Sequence, residues 1–330
     1  MQQMNVMLSQ VAALMILVFI GFLAGKKGYL PIETGGFLSK TVIRITAPSL
    51  LISTMTSYNF DAKTLSDGIW VGFFAVIFMF LSLLASFPAS RLLKLEGTSA
   101  NVFRAHTMLG NVGYMALPLL KAVLGDKAVV LAAFFVLSFE SLNWTVGVIL
   151  MNRHRKLSLA KTFKNFINAN TIACIAGILF AMTNLQHYIR GTGTGEVVFG
   201  IIHNVFNHLG NCTLPLVMLF IGMSAAERSG GGFKELLKKP ATLTLCVLRL
   251  AVIPLIDLGI LLLLGNLVDP FVRTIVILEM AMPCSAIIVV MSAEYGSDHR
   301  QASDNVLYST ILSLFTLPLF VLLLNFISNC

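Results

Sequence analysis

A succession of long apolar runs constrains this chain more than any other feature of its 330 residues. A helix needs about 20 apolar residues to cross a bilayer core, and ten such runs follow one another with short loops between them. Only 12% of the residues are charged, against about 25% in a typical soluble domain. The sequence therefore predicts an all-α polytopic membrane protein. The ten predicted spans, numbered in chain order, are residues 5–25, 37–57, 67–93, 100–122, 127–151, 164–185, 196–225, 241–265, 270–292 and 302–327.

The basic residues predict how the spans are oriented. Of the 23 lysines and arginines, most lie in the loops after odd-numbered spans, and few lie after even-numbered spans. Basic loops stay in the cytoplasm, so we expect a multi-pass protein of the cell membrane with both termini outside. The net charge of +8 is explained by this orientation, and no nucleic-acid partner is predicted. The residues after even-numbered spans are Lys63, Lys121, Lys127, Arg190 and Arg273.

Catalytic, metal and cofactor motifs are missing from the sequence. Four of the five cysteines lie inside predicted spans, and no C-x-x-C pair indicates a zinc site or a disulfide framework. The intramembrane enzyme motifs H-E-x-x-H, G-x-S-x-G and G-x-G-D do not occur. The N-terminus carries no positive charge before a long apolar run, so a cleaved signal peptide is not expected. We predict neither an enzyme nor a bound cofactor.

Span four is interrupted where a smooth apolar helix would be expected. The stretch LGNVGYMALPLLKAVLGD, residues 109–126, contains Asn111, Gly113 and Pro118 within eight residues. Gly and Pro weaken or remove helical hydrogen bonds, and in lipid such a break is tolerated only where the freed backbone faces protein or a water-filled cavity. Taken alone, the stretch is compatible with a simple proline kink or with a binding site.

A second interruption lies half a chain away and indicates a repeat. Pro283 breaks span nine about 165 residues after Pro118, and the two Thr-x-Pro triplets at 46–48 and 213–215 have a similar offset. Five spans per repeat is an odd number, so the second repeat must insert upside down. We therefore predict two inverted five-helix repeats, residues 1–155 and 156–330.

The two interrupted spans can cross near the midplane in such a repeat. Free N–H groups and the positive ends of half-helices would then point into one cavity. Asn111 and Ser285 would add side-chain donors. This arrangement predicts an anion-binding site made largely of main chain.

The interrupted segments resemble the auxin efflux carrier family, which includes PIN-type and bacterial membrane transport carriers. Gly110-Asn111 and the run Leu117-Pro118-Leu119-Leu120-Lys121 occupy the places of the family's Pro-Asn and I-P-L-L-K motifs, and residues 280–283 match its second crossover helix. The resemblance implies ten helices with outside termini. It also implies a scaffold of helices 1, 2, 6 and 7 and a transport domain of helices 3–5 and 8–10. Family substrates are organic carboxylates, held by the asparagine that Asn111 matches, and the resemblance suggests a homodimer through the scaffold.

Two departures from the plant members affect the expected substrate. Gly110 stands where the family has proline, and only about a dozen residues near 152–163 replace the long loop between the halves. The chain therefore looks like a bacterial-type member. For such a member malate or malonate is expected rather than the plant substrate, indole acetate.

Acidic residues inside the spans suggest ion coupling, because intramembrane charges are costly and usually functional or paired. Glu279, Glu140 and Asp257 are the candidates, and each could bind a proton or a cation. The alternative is a structural ion pair, for which Arg249 lies about two helical turns before Asp257.

These observations favour a secondary transporter of a small organic anion, either an auxin-like monocarboxylate or a dicarboxylate such as malate or malonate, that works by elevator-type alternating access in a lipid bilayer. Alternatives are a sodium- or proton-coupled carrier of another class, such as bile-acid-like anions, and an intramembrane enzyme. A channel fits less well, since it would not need two matched broken helices in inverted halves, and so does a receptor, which would usually have a soluble domain. The predicted substrate-binding residues are Asn111, Gly110, Gly113, Pro118, Pro283 and Ser285.

Overall fold

The computed structural model describes residues 2–31, 34–58, 61–152, 167–183, 185–190, 193–227 and 236–329, and within these ranges the chain is helical. The basic loop between the two predicted halves, at 153–166, lies outside the described residues. The helices of the first half are α1 Gln2–Lys26, α2 Thr34–Thr41, α3 Ala47–Ser57, α4 Ala62–Leu92, α5 Gly97–Met108, α6 Leu117–Leu124, α7 Asp126–Leu142 and α8 Val148–Met151. Those of the second half are α9 Ala169–Met182, α10 Leu185–Arg190, α11 Gly193–Asn211, α12 Thr213–Glu227, α13 Pro240–Val247, α14 Ile253–Leu263, α15 Pro270–Met280, α16 Ala286–Tyr295 and α17 His299–Asn329.

Several stretches of helix are long and apolar enough to cross a membrane, which confirms the predicted polytopic all-α class. Among the described residues, five qualify by length and composition; shorter apolar stretches are Met15–Lys26, which is part of α1, and Ala169–Met182. Predicted span one coincides with α1, and the remaining predicted spans coincide with helices that are shorter or interrupted. The count of ten spans therefore stays a prediction. The five qualifying stretches are Ala62–Leu92, Asp126–Met151, Gly193–Met223, Pro240–Leu263 and His299–Ile327.

Widened π-helical turns recur within the described part of the chain, and prolines account for most of them. Three of the turns lead directly into an α-helix with proline near its first position, at Pro48, Pro118 and Pro254. Proline has no N–H, and its ring collides with the carbonyl four residues before it. A wider turn relieves this crowding, as where the Ala47 N–H reaches back five residues to the Val42 carbonyl. The π-helical turns are Val42–Thr46, Val112–Ala116, Asn143–Gly147 and Leu248–Val252.

The chain divides into two compact units, each built from three separate segments. Unit 1 comprises Met1–Gly72, Gly113–Leu137 and Ile167–Met223, and unit 2 comprises Phe73–Val112, Ser138–Phe166 and Ser224–Cys330. The segment Gly113–Leu137, which the predicted transport domain includes, falls in unit 1 together with predicted spans one, two, six and seven. The division into two repeats and into scaffold and transport domains stays a prediction.

Unit 1 is held together by helices that approach each other at glycines. A Cβ atom on Gly222 would lie 2.0 Å from the Val18 carbonyl oxygen, and one on Gly21 would lie 2.4 Å from the Leu219 carbonyl oxygen. Helices α1 and α12 therefore meet backbone to backbone, as small residues allow in membranes.

Unit 2 has a buried apolar core around the second interruption. Phe103 of α5, Leu245 of α13 and Cys284 form one cluster in which each side chain is fully buried. Since close-packed interiors resist displacement, this cluster fixes α5 and the segment around Cys284 against α13. It thereby positions the candidate site.

Candidate functional site

The first interruption lies between Met108 and Val112, inside unit 2. Helix α5 ends at Met108, and Leu109 has extended backbone angles, with φ −105° and ψ 115°. Gly110 and Asn111 are both poor helix formers, so the helix ends where the sequence stops favouring it. The break therefore precedes Pro118, which was expected to mark it.

The second interruption lies between α15 and α16. Pro283 cannot donate a backbone hydrogen bond, and it disfavours a helical conformation at the residue before it. Helix α15 ends at Met280, and Ser285 is again extended, with φ −70° and ψ 125°.

The two interruptions pair with each other as a short antiparallel bridge. The Asn111 N–H donates to the Pro283 carbonyl at 2.7 Å, and the Ser285 N–H donates to the Leu109 carbonyl at 3.2 Å. Gly110 lies directly opposite Cys284 between these two bonds. The main-chain groups freed by each break are thus satisfied by the other, which a buried backbone requires. We call residues 109–111 and 283–285 the crossing.

The crossing has two faces, because side chains alternate along extended chain and opposed residues share a face. Gly110 and Cys284 belong to one face, and Asn111 belongs to the other together with Leu109 and Ser285. A Cβ atom on Gly110 would lie 2.0 Å from Arg249 Nη2, so the first face is covered by that guanidinium. We call it the arginine face and the opposite one the asparagine face.

Arg249 is almost fully enclosed, with 1% of its surface exposed. Its Nε donates to the Met282 carbonyl at 3.0 Å, and its Nη1 donates to the carbonyls of Thr107 and Met108 at 3.1 and 3.3 Å. These carbonyls come from the ends of both interrupted helices. Arg249 therefore joins the two breaks, a role that the sequence reading, which considered it only as a partner of Asp257, missed.

A buried histidine supports the crossing from α5. Asn305 accepts a hydrogen bond from Thr242 Oγ1 at 2.9 Å through its Oδ1, which leaves its Nδ2 to donate to His106 Nδ1 at 3.2 Å. The proton of His106 is thereby assigned to Nε2, which donates to the Ser285 carbonyl at 3.2 Å. This series of hydrogen bonds holds the start of α16 at the crossing.

The asparagine face keeps polar groups that the described part of the chain does not use. Asn111 is 5% exposed, and the described residues supply no hydrogen bond to its side-chain amide. Ser285 caps the start of α16, yet its hydroxyl makes no capping hydrogen bond. Both residues belong to the same face of the crossing, so this face offers an amide and a hydroxyl to a polar ligand.

Asn143 is a further candidate that sequence reasoning missed. It lies in a π-helical turn, is 1% exposed, and its Oδ1 has no hydrogen-bond partner among the described residues. A Cβ atom on Gly147 would lie 3.3 Å from Leu109 Cδ1 and 3.4 Å from Asn143 Oδ1, so the amide lies beside the asparagine face. A polar residue inside an apolar run was the available signal.

The acidic residues predicted for ion coupling have different surroundings. Glu279 is 0% exposed, and neither carboxyl oxygen has a hydrogen-bond partner among the described residues. Both Glu279 and Asp257 interact electrostatically with Arg249. Glu140 instead accepts a hydrogen bond from Trp144 Nε1 at 2.8 Å.

The predicted site residues separate into two groups. Asn111, Gly110, Pro283 and Ser285 meet at the crossing, as the preceding contacts show. Gly113 and Pro118 belong to unit 1, where Gly113 lies in the π-helical turn and Pro118 is buried near the start of α6. Pro118 therefore lies outside the crossing, whereas Pro283 is part of it. Within the described residues, no group of three or more His, Cys, Asp or Glu side chains could hold a metal ion.

The chain is similar to known membrane transport proteins along most of its length. A family model described as "Membrane transport protein" matches residues 6–321. An "Uncharacterized transporter" of Methanothermobacter thermautotrophicus is 25% identical over 319 residues, which cover 95% of this chain and 97% of that protein. A "Putative malonate transporter" of Rhizobium meliloti is 22% identical over 310 residues, or 91% of this chain and 90% of that protein. "Protein PIN-LIKES 2" of Arabidopsis thaliana is 23% identical over 180 residues, 53% of this chain and 38% of that protein.

Proposed function

Because this chain belongs to the membrane transport protein family, the family of the auxin efflux carriers, we propose that it is a secondary carrier of a small organic anion. Its family consists of transporters rather than enzymes, in agreement with the prediction from sequence. The observation that carries the proposal is the asparagine face, where the Asn111 amide and the Ser285 hydroxyl belong to one face of the crossing and make no side-chain hydrogen bond to the described residues.

The proposed substrate is a dicarboxylate such as malonate or malate, ahead of an auxin-like monocarboxylate. A carboxylate only accepts hydrogen bonds, and Asn111 and Ser285 offer donors on the asparagine face, with Asn143 close to Leu109 of the same face. The name of the Rhizobium meliloti relative supports malonate as the first substrate to test.

The proposed architecture has ten helices in two inverted repeats, with the crossing in helices four and nine. The pairing of residues 109–111 with 283–285, one from each half of the chain, supports this arrangement. Transport would proceed by alternating access of the elevator type, for which the existence of two compact units is supporting evidence. Gly113 and Pro118 would allow the widened turn after the crossing to bend. Outside termini, a place in the cell membrane and a homodimer through the scaffold helices belong to the same proposal.

Proton coupling through an intramembrane carboxyl is part of the proposed mechanism. Glu279 is the first candidate, since its buried carboxyl has no hydrogen-bond partner among the described residues. Asp257 is the second, because its Oδ2 is likewise without one there. Glu140 follows, since Trp144 already engages it.

The test is malonate counterflow in liposomes that contain the purified full-length protein. The wild type should saturate and show counterflow, which separates a carrier from a channel. Asn111→Ala should weaken malonate binding about 10- to 150-fold, the equivalent of one hydrogen bond to a charged group. Asn101→Ala, which changes the same residue type on α5 away from the crossing, is the matched control and should transport normally.

Two results would overturn the proposal. Equal counterflow by Asn111→Ala and the wild type would remove Asn111 from the site. Lack of counterflow by the folded wild type with every small carboxylate tested would remove organic anions as the substrate class.

A further inference from the structure

The surroundings of Arg249 are those of a cation-binding site. Three main-chain carbonyl oxygens accept its hydrogen bonds, and the carboxyl groups of Asp257 and Glu279 interact with it electrostatically. Carbonyl and carboxylate oxygens are the usual ligands of hard cations. In membrane carriers with broken helices, unwound carbonyls and half-helix C-termini are where a coupling sodium ion or proton binds.

The carbonyl oxygens have a specific origin that explains why a positive charge is needed. Thr107 and Met108 form the last turn of α5, and Met282 follows the end of α15. Each helix end concentrates partial negative charge on carbonyls that lack intrahelical donors. Two such ends meet at the crossing, so a cation between them stabilises both at once.

Arg249 approaches the crossing from the arginine face, where Gly110 leaves room for it. The unengaged amide of Asn111 belongs to the asparagine face. Arg249 is therefore a positioning residue: it holds the two main-chain segments that present the donors, without contacting a ligand bound to Asn111.

We propose that Arg249 is a built-in cation that assembles the crossing in place of a bound sodium ion, so that anion binding does not require sodium. The inference rests on the proposed function for its transport consequence, and on the contacts of Arg249 alone for its structural part. A guanidinium stays protonated in proteins and presents a fork of donors. Unlike a sodium ion, it cannot dissociate during a transport cycle. The carbonyls that Arg249 occupies are therefore not available to a coupling sodium ion.

The first experiment uses the wild-type protein and needs no mutation. Thermal unfolding of the purified protein is followed with and without malonate, in sodium chloride and in N-methylglucamine chloride. A ligand that binds the native state raises its apparent stability. We expect the same malonate-induced shift in both salts, and a shift that appears only with sodium would overturn the inference.

The second experiment asks whether an external cation can replace the side chain. Arg249→Met should lower the unfolding temperature and weaken malonate binding about tenfold or more, the usual scale of coupling between two sites. A low, non-denaturing concentration of guanidinium chloride, or sodium chloride, should restore part of both. Arg104→Met is the matched control, because Arg104 bonds Ser90 Oγ in the same unit and lies over the Phe87 ring. Guanidinium should not rescue it.

The outcomes separate this inference from the proposed function. Rescue of thermal stability by guanidinium in Arg249→Met, without any effect of carboxylates on the wild type, would support the built-in cation while rejecting the anion carrier. Malonate binding by the wild type, combined with wild-type stability and affinity in Arg249→Met, would support the anion carrier while rejecting the built-in cation. If Arg249→Met does not fold even with guanidinium, while Arg249→Lys folds and needs no added cation, a positive charge at this position is supported.

Discussion

The close approach of Arg249 to Gly110 predicts that alanine at position 110 is harmful, although glycine is the poorer residue in most helices and strands. A Cβ atom there would lie 2.0 Å from Arg249 Nη2, 3.0 Å from Cζ and 3.4 Å from Nε. A distance near 2.0 Å is well inside van der Waals contact, so either Arg249 or the crossing must move.

The loss of stability depends on whether Arg249 or the crossing moves. Displacing Arg249 would disrupt its hydrogen bonds to Thr107, Met108 and Met282, each worth about 1.5–3 kcal/mol because the donor is charged. Keeping it in place would strain a packed site, which costs about 1–3 kcal/mol. The smaller of the two penalties, the strain, sets the effect, so Gly110→Ala should lower the free energy of unfolding by about 1–3 kcal/mol. Proline, which the family has at this position, also carries a Cβ atom, and Gly110→Pro should have a similar effect.

Thermal unfolding of the purified variants in detergent measures this prediction. Gly259→Ala is the matched control, since it lies in α14 of the same unit with nothing within 4 Å of its added Cβ atom. It should be neutral or stabilising by up to about 1 kcal/mol, the helix-propensity gain of alanine over glycine. The decisive comparison is a double-mutant cycle with Arg249→Met. If the clash is with the guanidinium, Gly110→Ala loses most of its effect in that background, and an equal loss in both backgrounds would refute the reasoning.

Three further predictions concern other contacts. Gly222→Ala should destabilise the protein by about 1–3 kcal/mol, measured by thermal unfolding, because its Cβ atom would lie 2.0 Å from the Val18 carbonyl oxygen; no change would argue against the close packing of α1 and α12. His106→Phe should weaken malonate affinity and lower stability by about 1–3 kcal/mol, and adding Asn305→Ala should have less effect than in the wild type, since both act through the Ser285 carbonyl. Glu279→Gln should preserve malonate binding but flatten the pH dependence of counterflow, whereas an unaltered pH profile would assign the coupling proton elsewhere.

Much of the fold could be predicted because membrane spans are encoded in the length and polarity of local runs. The polytopic all-α class followed from apolar runs alone. The position of the first helix break could not be predicted from the apolar runs. Pro118 looked like the stronger helix breaker, but near the start of α6 its missing N–H is tolerated by the widened turn before it. Gly110 and Asn111 are weaker breakers individually, but the helix can end there because Pro283 and Ser285 bond the main chain of Asn111 and Leu109.

The candidate site was partly predictable for a related reason. Asn111 and Ser285 could be identified because polar residues at a break in an apolar span are rare and informative. Arg249 and Asn143 were missed, since their partners lie on other helices far away in sequence. One signal was available for Arg249: two broken helices leave several carbonyls without donors, and a buried arginine is the side chain with the most donors to offer.

The widened turn at Leu248–Val252 has a consequence for how this protein tolerates changes in length. A π turn contains one residue more than the α-helical turn it replaces. Deleting a single residue such as Ala251 would let the span close into a regular helix, equally apolar and equally able to insert. Because the deleted residue is the extra one of the turn, the helix beyond it would keep its present facing relative to Arg249, and Asp257 would stay on its side of the helix. Deleting a residue of the regular helix after the turn, such as Leu255, would instead rotate Asp257 by about 100°. The alignment of this charge pair therefore depends on where in the span a residue is lost.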